Sequence, residues 1–172
     1  MNSFKKVERI KNIFNYVAEK KEFIFDSRKF IDSLHIDFTG KQVLEAECGQ
    51  GLAAAFVGSL NASRVVGFDL SDMSIKRAGE LTKDKQITNV DFYVSSIENF
   101  NTDEKFDIIL SLGVLQYVGD LFYCIDRLCS FLSDKKDSLL IITMSEPTLI
   151  SRIGKIVQKS TLKLPESLSL LL

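Results

Sequence analysis

Five short apolar runs, most of them followed by a stretch with helical periodicity, constrain this chain more than any other feature. Runs such as Ile108-Ile109-Leu110 and Leu139-Leu140-Ile141-Ile142 are nearly continuous rather than alternating. A strand with one wet face alternates apolar and polar side chains, so continuous runs fit a parallel sheet buried on both faces. The pattern predicts strands over 42–46, 64–69, 90–95, 106–112 and 138–144, and helices over 51–60, 72–84, 119–132 and 147–159. Upstream, Phe4, Val7, Ile10, Phe14 and Val17 recur at helical spacing over 3–20, and Asp26 is placed to cap a second helix ending near Leu34. The reading is α/β: a doubly wound, mostly parallel sheet of about five strands with helices on both faces, preceded by two N-terminal helices.

Composition bounds the rest. The 172 residues suit one domain with a real core, in three parts: a helical cap over 1–38, a core over 41–144, and a C-terminal helix and tail over 147–172. A net charge of −1 gives no global attraction to nucleic acid or to an anionic membrane. The basic lean of the first 21 residues reads as a solvated helix face. No run is long enough to span a bilayer and none near the start resembles a signal peptide. Three cysteines without a framework spacing suit reduced thiols in a cytoplasm. With one histidine they cannot build a zinc site, so no metal is expected.

The chemistry concentrates at strand carboxyl ends. Val43-Leu44 runs into Glu45, Glu47 and a turn with Gly49 and Gly51, then into a helix-forming stretch from Leu52. Glycines let a ligand approach bare backbone, and a helix start offers unpaired N–H groups. Asp69 closes the next run, where an acid can grip both hydroxyls of a ribose. Together these describe a pocket for an adenosine-bearing cofactor at the switch point of the sheet. Gly49-Gln50-Gly51-Leu52-Ala53-Ala54 also fits the loose dinucleotide pattern. However, Glu45 and Glu47 would repel a pyrophosphate, whereas they would attract a sulfonium and an ammonium.

Residues 41–144 resemble the cofactor half of a class I S-adenosylmethionine-dependent methyltransferase of the small-molecule, Rossmann-like kind. The likeness lies in four ordered motifs: Glu45-Ala46-Glu47-Cys48-Gly49-Gln50-Gly51; Val66-Gly67-Phe68-Asp69-Leu70-Ser71; Val94-Ser95-Ser96-Ile97-Glu98; and the stretch from Phe106 through Ser111-Leu112-Gly113 to Gln116-Tyr117-Val118. The resemblance implies S-adenosylmethionine as cofactor and a small-molecule acceptor. Gly49 and Gly51 would bring backbone against its methionine part, and Glu45, Glu47 and Cys48 of the same motif would belong to the cofactor site, with packing the plainer role for Cys48. Asp69 would hold the ribose, Leu70 would lie on one face of the adenine, and Ser96 and Ile97 would flank the adenine edge. Ser111 and Leu112 would line the sulfonium side, and Gln116 the substrate mouth. Catalytic residues are not identified; Gln116, Tyr117 and His35 are the weak candidates. Phe4, Phe14, Tyr16 and Phe23 could line a lid, although core packing is the plainer reading.

Three departures qualify the likeness. Glu47 stands where the family has its first glycine: it either pairs with the cofactor ammonium or fills the site and weakens binding, and the second is expected. Ser96 replaces a frequent acid. The sheet stops at five strands where seven are usual, so strand five should be an open edge: a fragment or truncated relative of a longer protein is expected, the alternatives being that the apolar tail covers the edge or that a second copy or a partner subunit does. Two other readings therefore stay open: a catalytically silent methyltransferase-like partner or scaffold subunit, and, more weakly, an NAD-binding oxidoreductase.

Overall fold

The computed structural model describes residues 27–143 and the backbone of Lys155–Gln158. The elements run α1 (Ser27–Ser33), β1 (Gln42–Ala46), α2 (Leu52–Ser59), β2 (Arg64–Asp69), α3 (Asp72–Asp84), β3 (Val90–Val94), β4 (Ile108–Leu112), a single 3-10 turn (Leu115–Tyr117), α4 (Leu121–Ser130), β5 (Leu139–Thr143) and β6 (Lys155–Gln158). The strands lie in the order β3-β2-β1-β4-β5-β6. The first five are parallel, with Leu44 opposite Val66 and Ile109, and Ala46 opposite Phe68 and Ser111. Chain order leaves β1 toward β2 on one side and returns to β4 on the other, so the switch point falls between β1 and β4. In such sheets the crevice beyond the strand carboxyl ends at that point takes the ligand.

Continuous apolar runs become strands buried on both faces. One face packs Leu44, Ala46, Val66, Phe68 and Ile109 against Leu128 of α4 and against Phe100 and Phe131. The other packs Val43, Val65, Ile108, Leu110 and Ile141 against Ala53, Ala54 and Val57 of α2 and Ile31 of α1. The helix starts follow their side chains. Ser71 caps α3 by accepting from the Ser74 N–H at 3.0 Å, as its position predicts, and Asp120 caps α4 by accepting from the Tyr123 N–H at 3.0 Å. The helix expected over 3–20, the Asp26 cap and the lid aromatics lie outside the described residues.

The C-terminal part differs from expectation. Of the helix predicted over 147–159, the described stretch Lys155–Gln158 is instead a strand, antiparallel to β5, with Leu140 opposite Val157 and Ile142 opposite Lys155. The spacing of Leu149, Ile150, Ile153, Ile156 and Val157 satisfies a helical period. But Ile156 and Val157 are β-branched, and the unpaired backbone of β5 offers partners that a helix would leave open. The edge expected to be open at strand five is therefore covered there. The turn at 134–137 ties two parts of the chain together. Lys135 Nζ lies 2.7 Å from the buried Asp107 carboxylate, and Lys41 Nζ lies 2.6 Å from Asp137.

Candidate active site

β1 delivers Glu45 to its carboxyl end, where it is only 4% exposed. Its Oε2 has no hydrogen-bond partner. On the adjacent strand, Ser111 is fully buried and its hydroxyl is likewise unpartnered. Side chains alternate along a strand. Glu45 therefore shares the face of Val43, whereas Ser111 shares that of Ile109, so the two bracket the switch point from opposite faces. Buried polar atoms without partners are rare, because each costs about 1–3 kcal/mol. Two at one crevice mark a place where a ligand supplies what the chain does not.

Asp69 ends β2 and is 5% exposed. Its Oδ2 accepts from the Gly49 N–H at 2.8 Å and its Oδ1 from the Ser71 N–H at 2.8 Å. The carboxylate thus ties the glycine turn to the start of α3, and each oxygen keeps a second lone pair for a ligand. The turn is fastened again by Cys48, whose N–H donates to Phe68 O at 2.9 Å. Glu47, Gly49 and Gly51 all adopt left-handed φ, at 56°, 52° and 71°. The two glycines have different reasons. A Cβ at Gly51 would lie 2.7 Å from both Ala78 and Phe92, so Gly51 lets α3 and β3 close in. A Cβ at Gly49 would meet nothing within 4 Å, so the room lies over Gly49.

The electrostatics are one-sided. Burial pushes the Glu45 carboxyl up to about 8; the Ala54 backbone N–H offsets part of this and Asp69 adds to it. Burial likewise pushes Glu47 up to about 8, with Asp69 and Glu98 adding repulsion. Asp69 is also raised by burial, against the pull of the Ser71 and Gly49 N–H groups. Among the described residues no cationic side chain forms an ion pair with any of the three. Burial and the same three acids raise the Cys48 thiol well above its usual range, so it stays protonated and is no nucleophile. Such a pocket suits a ligand carrying positive charge and disfavours a pyrophosphate. The residues therefore fit the ammonium and sulfonium of S-adenosylmethionine better than a dinucleotide.

The other expected residues fall around this centre with less definition. Leu70 is half-buried just beyond Asp69, and Ser96 and Ile97 follow β3, with Ile97 buried. Leu112 is half-buried at the end of β4, and Tyr117 is half exposed on the 3-10 turn that also carries Gln116. His35 is exposed at the end of α1, in the segment leading to the start of β1, and is not gathered with the strand-end acids. Two residues given no role from sequence belong to the site's frame. Glu98 adds to the acid cluster. Arg127 Nε donates to Ile97 O at 3.1 Å and its guanidinium also donates to Phe100 O, pinning the loop after β3. The only trace of Arg127 in the sequence is a basic residue in the last turn of a helix.

Comparisons with known proteins agree with this frame. The chain is 28% identical over 152 residues to the mitochondrial ubiquinone biosynthesis O-methyltransferase of Dictyostelium discoideum, covering 83% of this chain and 46% of that protein. Among solved structures, phosphoethanolamine N-methyltransferase 1 of Haemonchus contortus, in complex with phosphoethanolamine and S-adenosylhomocysteine, superposes with a TM-score of 0.71 at 17% identity, over 86% of this chain and 34% of that one. The DhpI–SAM–HEP complex gives 0.68 at 19%, over 88% of this chain and 73% of that one. The chain spans about half the length of the curated relatives it matches. The sequence pattern of the methyltransferase-domain family matches residues 37–167, from just before β1 to beyond β6. The chain belongs to that family and has its Rossmann-like α/β fold.

Proposed function

We propose that the chain binds S-adenosylmethionine at the β1–β4 switch point and serves as the methyltransferase domain for a small-molecule acceptor. The observation that carries this is the buried, unpartnered Oε2 of Glu45 within an acid cluster that has no cationic partner among the described residues. A cofactor ammonium supplies the missing donor and charge. In this reading Glu45 faces the ammonium, Gly49 gives room to the methionine tail, Asp69 takes the ribose, and Leu70, Ser96 and Ile97 border the adenine. Ser111 and Leu112 line the methyl-bearing side. Cys48 packs beneath the turn.

Bound S-adenosylmethionine supplies an activated methyl group. The chain's part is to align the acceptor in line with the sulfonium and keep water out, and orientation alone can contribute on the order of 7–11 kcal/mol. The curated relatives named as ubiquinone O-methyltransferases make an oxygen acceptor the first to test, and Tyr117 and Gln116 lie on the turn after β4 where such an acceptor would enter. We place the whole of 1–172 in one unit around the 41–144 core, in a reducing compartment that keeps Cys48, Cys124 and Cys129 as free thiols. Among the described residues no helix is long and apolar enough to cross a membrane.

Calorimetric titration with S-adenosylmethionine, S-adenosylhomocysteine and NAD tests the reading. Binding of the first two with Kd on the order of micromolar is expected. Binding of NAD alone overturns it.

A further inference from the structure

We propose that Arg127 is a positioning residue for the base: through two main-chain carbonyls it fixes the loop that borders adenine, and so sets how well the site tells adenine from other bases without touching the base itself. The inference rests on the cofactor reading above and adds a specificity determinant to it. Three observations carry it. First, Arg127 on α4 reaches one loop at two points. Its Nε donates to Ile97 O at 3.1 Å and its Nη2 donates to Phe100 O. A planar guanidinium aims its donors in fixed directions, so the pair of bonds fixes both the position and the tilt of the loop; a lysine ammonium on its flexible stem could not do both. Second, the fork is itself held. The guanidinium carbon lies 5.5 Å from the centroid of the Phe131 ring, within reach of a cation–π contact. Phe131 meets the Phe100 ring edge-on at 5.6 Å, and Phe100 stacks on Phe68 of β2 at 4.2 Å. Third, Arg127 forms no ion pair among the described residues. Its hydrogen bonds go to two neutral carbonyls of this loop, 30 and 27 residues away in the chain.

The contacts divide the loop by role. Its start is fixed without Arg127, because the Ser95 N–H donates to Asp69 O at 3.0 Å. Its end is fixed by the buried ring of Phe100. Between them the Asn99 and Phe100 N–H groups both donate to Ser96 O, at 3.1 and 2.8 Å, and close a tight turn. That turn carries Ser96 and Ile97, the residues that border the adenine in the reading above, and Arg127 ties it to α4. The same helix begins just after the 3-10 turn of Tyr117, where the acceptor would enter, so one element serves as reference for both ends of the site. Hydrogen bonds weaken steeply when donor and acceptor are misaligned, so reading the edge of a base depends on where this turn is held. Without the fork the two ends still anchor the loop, and its middle can shift.

The test is calorimetric binding of S-adenosylhomocysteine and of S-inosylhomocysteine, in which oxygen replaces the 6-amino group of the base. It compares the wild-type chain with Arg127→Met, which keeps an apolar stem and removes the fork, and Arg127→Lys, which keeps the charge but leaves a single donor point. Wild type should prefer S-adenosylhomocysteine by at least about tenfold. Arg127→Met should weaken S-adenosylhomocysteine about tenfold and pull that preference toward unity, with Arg127→Lys in between. A purely structural role would lower Tm and leave the preference where it was. A folded Arg127→Met that keeps the wild-type preference therefore overturns the assignment and leaves the cofactor reading in place. If Arg127→Met does not fold, the same ratio in Arg127→Lys decides: a reduced preference supports the assignment and an unchanged one overturns it. Equal wild-type binding of the two ligands also overturns it, since the base edge is then not read. If the wild-type chain binds neither, the cofactor reading falls and this inference with it.

Discussion

Asp69 is the residue on which the geometry converges. A single carboxylate, nearly out of water, holds the glycine turn with one oxygen and the start of α3 with the other. If it also takes the ribose, Asp69→Ala removes charge-assisted bonds and should raise Kd for S-adenosylhomocysteine at least about tenfold. Unchanged affinity would mean that the sugar is held elsewhere. Ser111 makes the opposite kind of prediction. Its hydroxyl is buried without a partner in the free chain, so Ser111→Ala should raise unfolding stability by about 1 kcal/mol. Urea unfolding of the free chain measures this, and a loss of stability would show that the hydroxyl has a partner. The two side chains differ because one is satisfied by the fold and the other waits for a ligand.

Elements meet through glycine in one place and need none in another. Both Gly58 and Gly79 interrupt helices and suggest close packing in sequence. At Gly58 a Cβ would come within 2.6 Å of Val90 and 3.0 Å of Ile87, so the glycine lets α2 sit on the start of β3. At Gly79 a Cβ meets nothing within 4 Å, so close packing is not its reason. Gly58→Ala should cost about 1–3 kcal/mol, whereas Gly79→Ala, in the exposed middle of α3, should gain about 0.5–1 kcal/mol. Thermal unfolding of the two variants would refute the assignment if their signs matched. The contrast shows what sequence carries. The five parallel strands, the cap at Ser71 and the strand-end acids Glu45 and Asp69 are legible because they depend on local pattern. The need for Gly58, the Arg127 clamp on Ile97 and the pairing of β6 with β5 depend on residues distant in the chain. Ile156-Val157 satisfies two periodicities at once, and only the waiting backbone of β5 decides between them.

At the scale of the whole molecule, function and stability pull the charge in opposite directions. Glu45, Glu47 and Asp69 have carboxyls raised by burial in the folded chain. A raised acid binds its proton more tightly folded than unfolded, so the stability it contributes is complete below its unfolded value and is lost as pH climbs through the folded one. For Glu45 and Glu47 that window runs from 4.5 to about 8. At the other end of the sheet the sign reverses. Burial pushes Asp107 up, but Lys135, the Gln42 N–H and Ser133 outweigh it and hold the carboxyl below its usual value of 3.8. Its stability is present above that value and lost only on strong acidification. The two sets place the greatest stability of the free chain on the acid side of neutrality, near about pH 5, with Tm falling toward about pH 8. Calorimetry of the free chain checks this, and a Tm that rises over that interval would contradict the buried acid cluster. Replacing Glu45 by Gln should flatten the fall in part. A ligand that brings positive charge into the crevice restores most where the acids are most ionised, so the rise in Tm on saturation with S-adenosylmethionine should be larger at about pH 8 than at about pH 6.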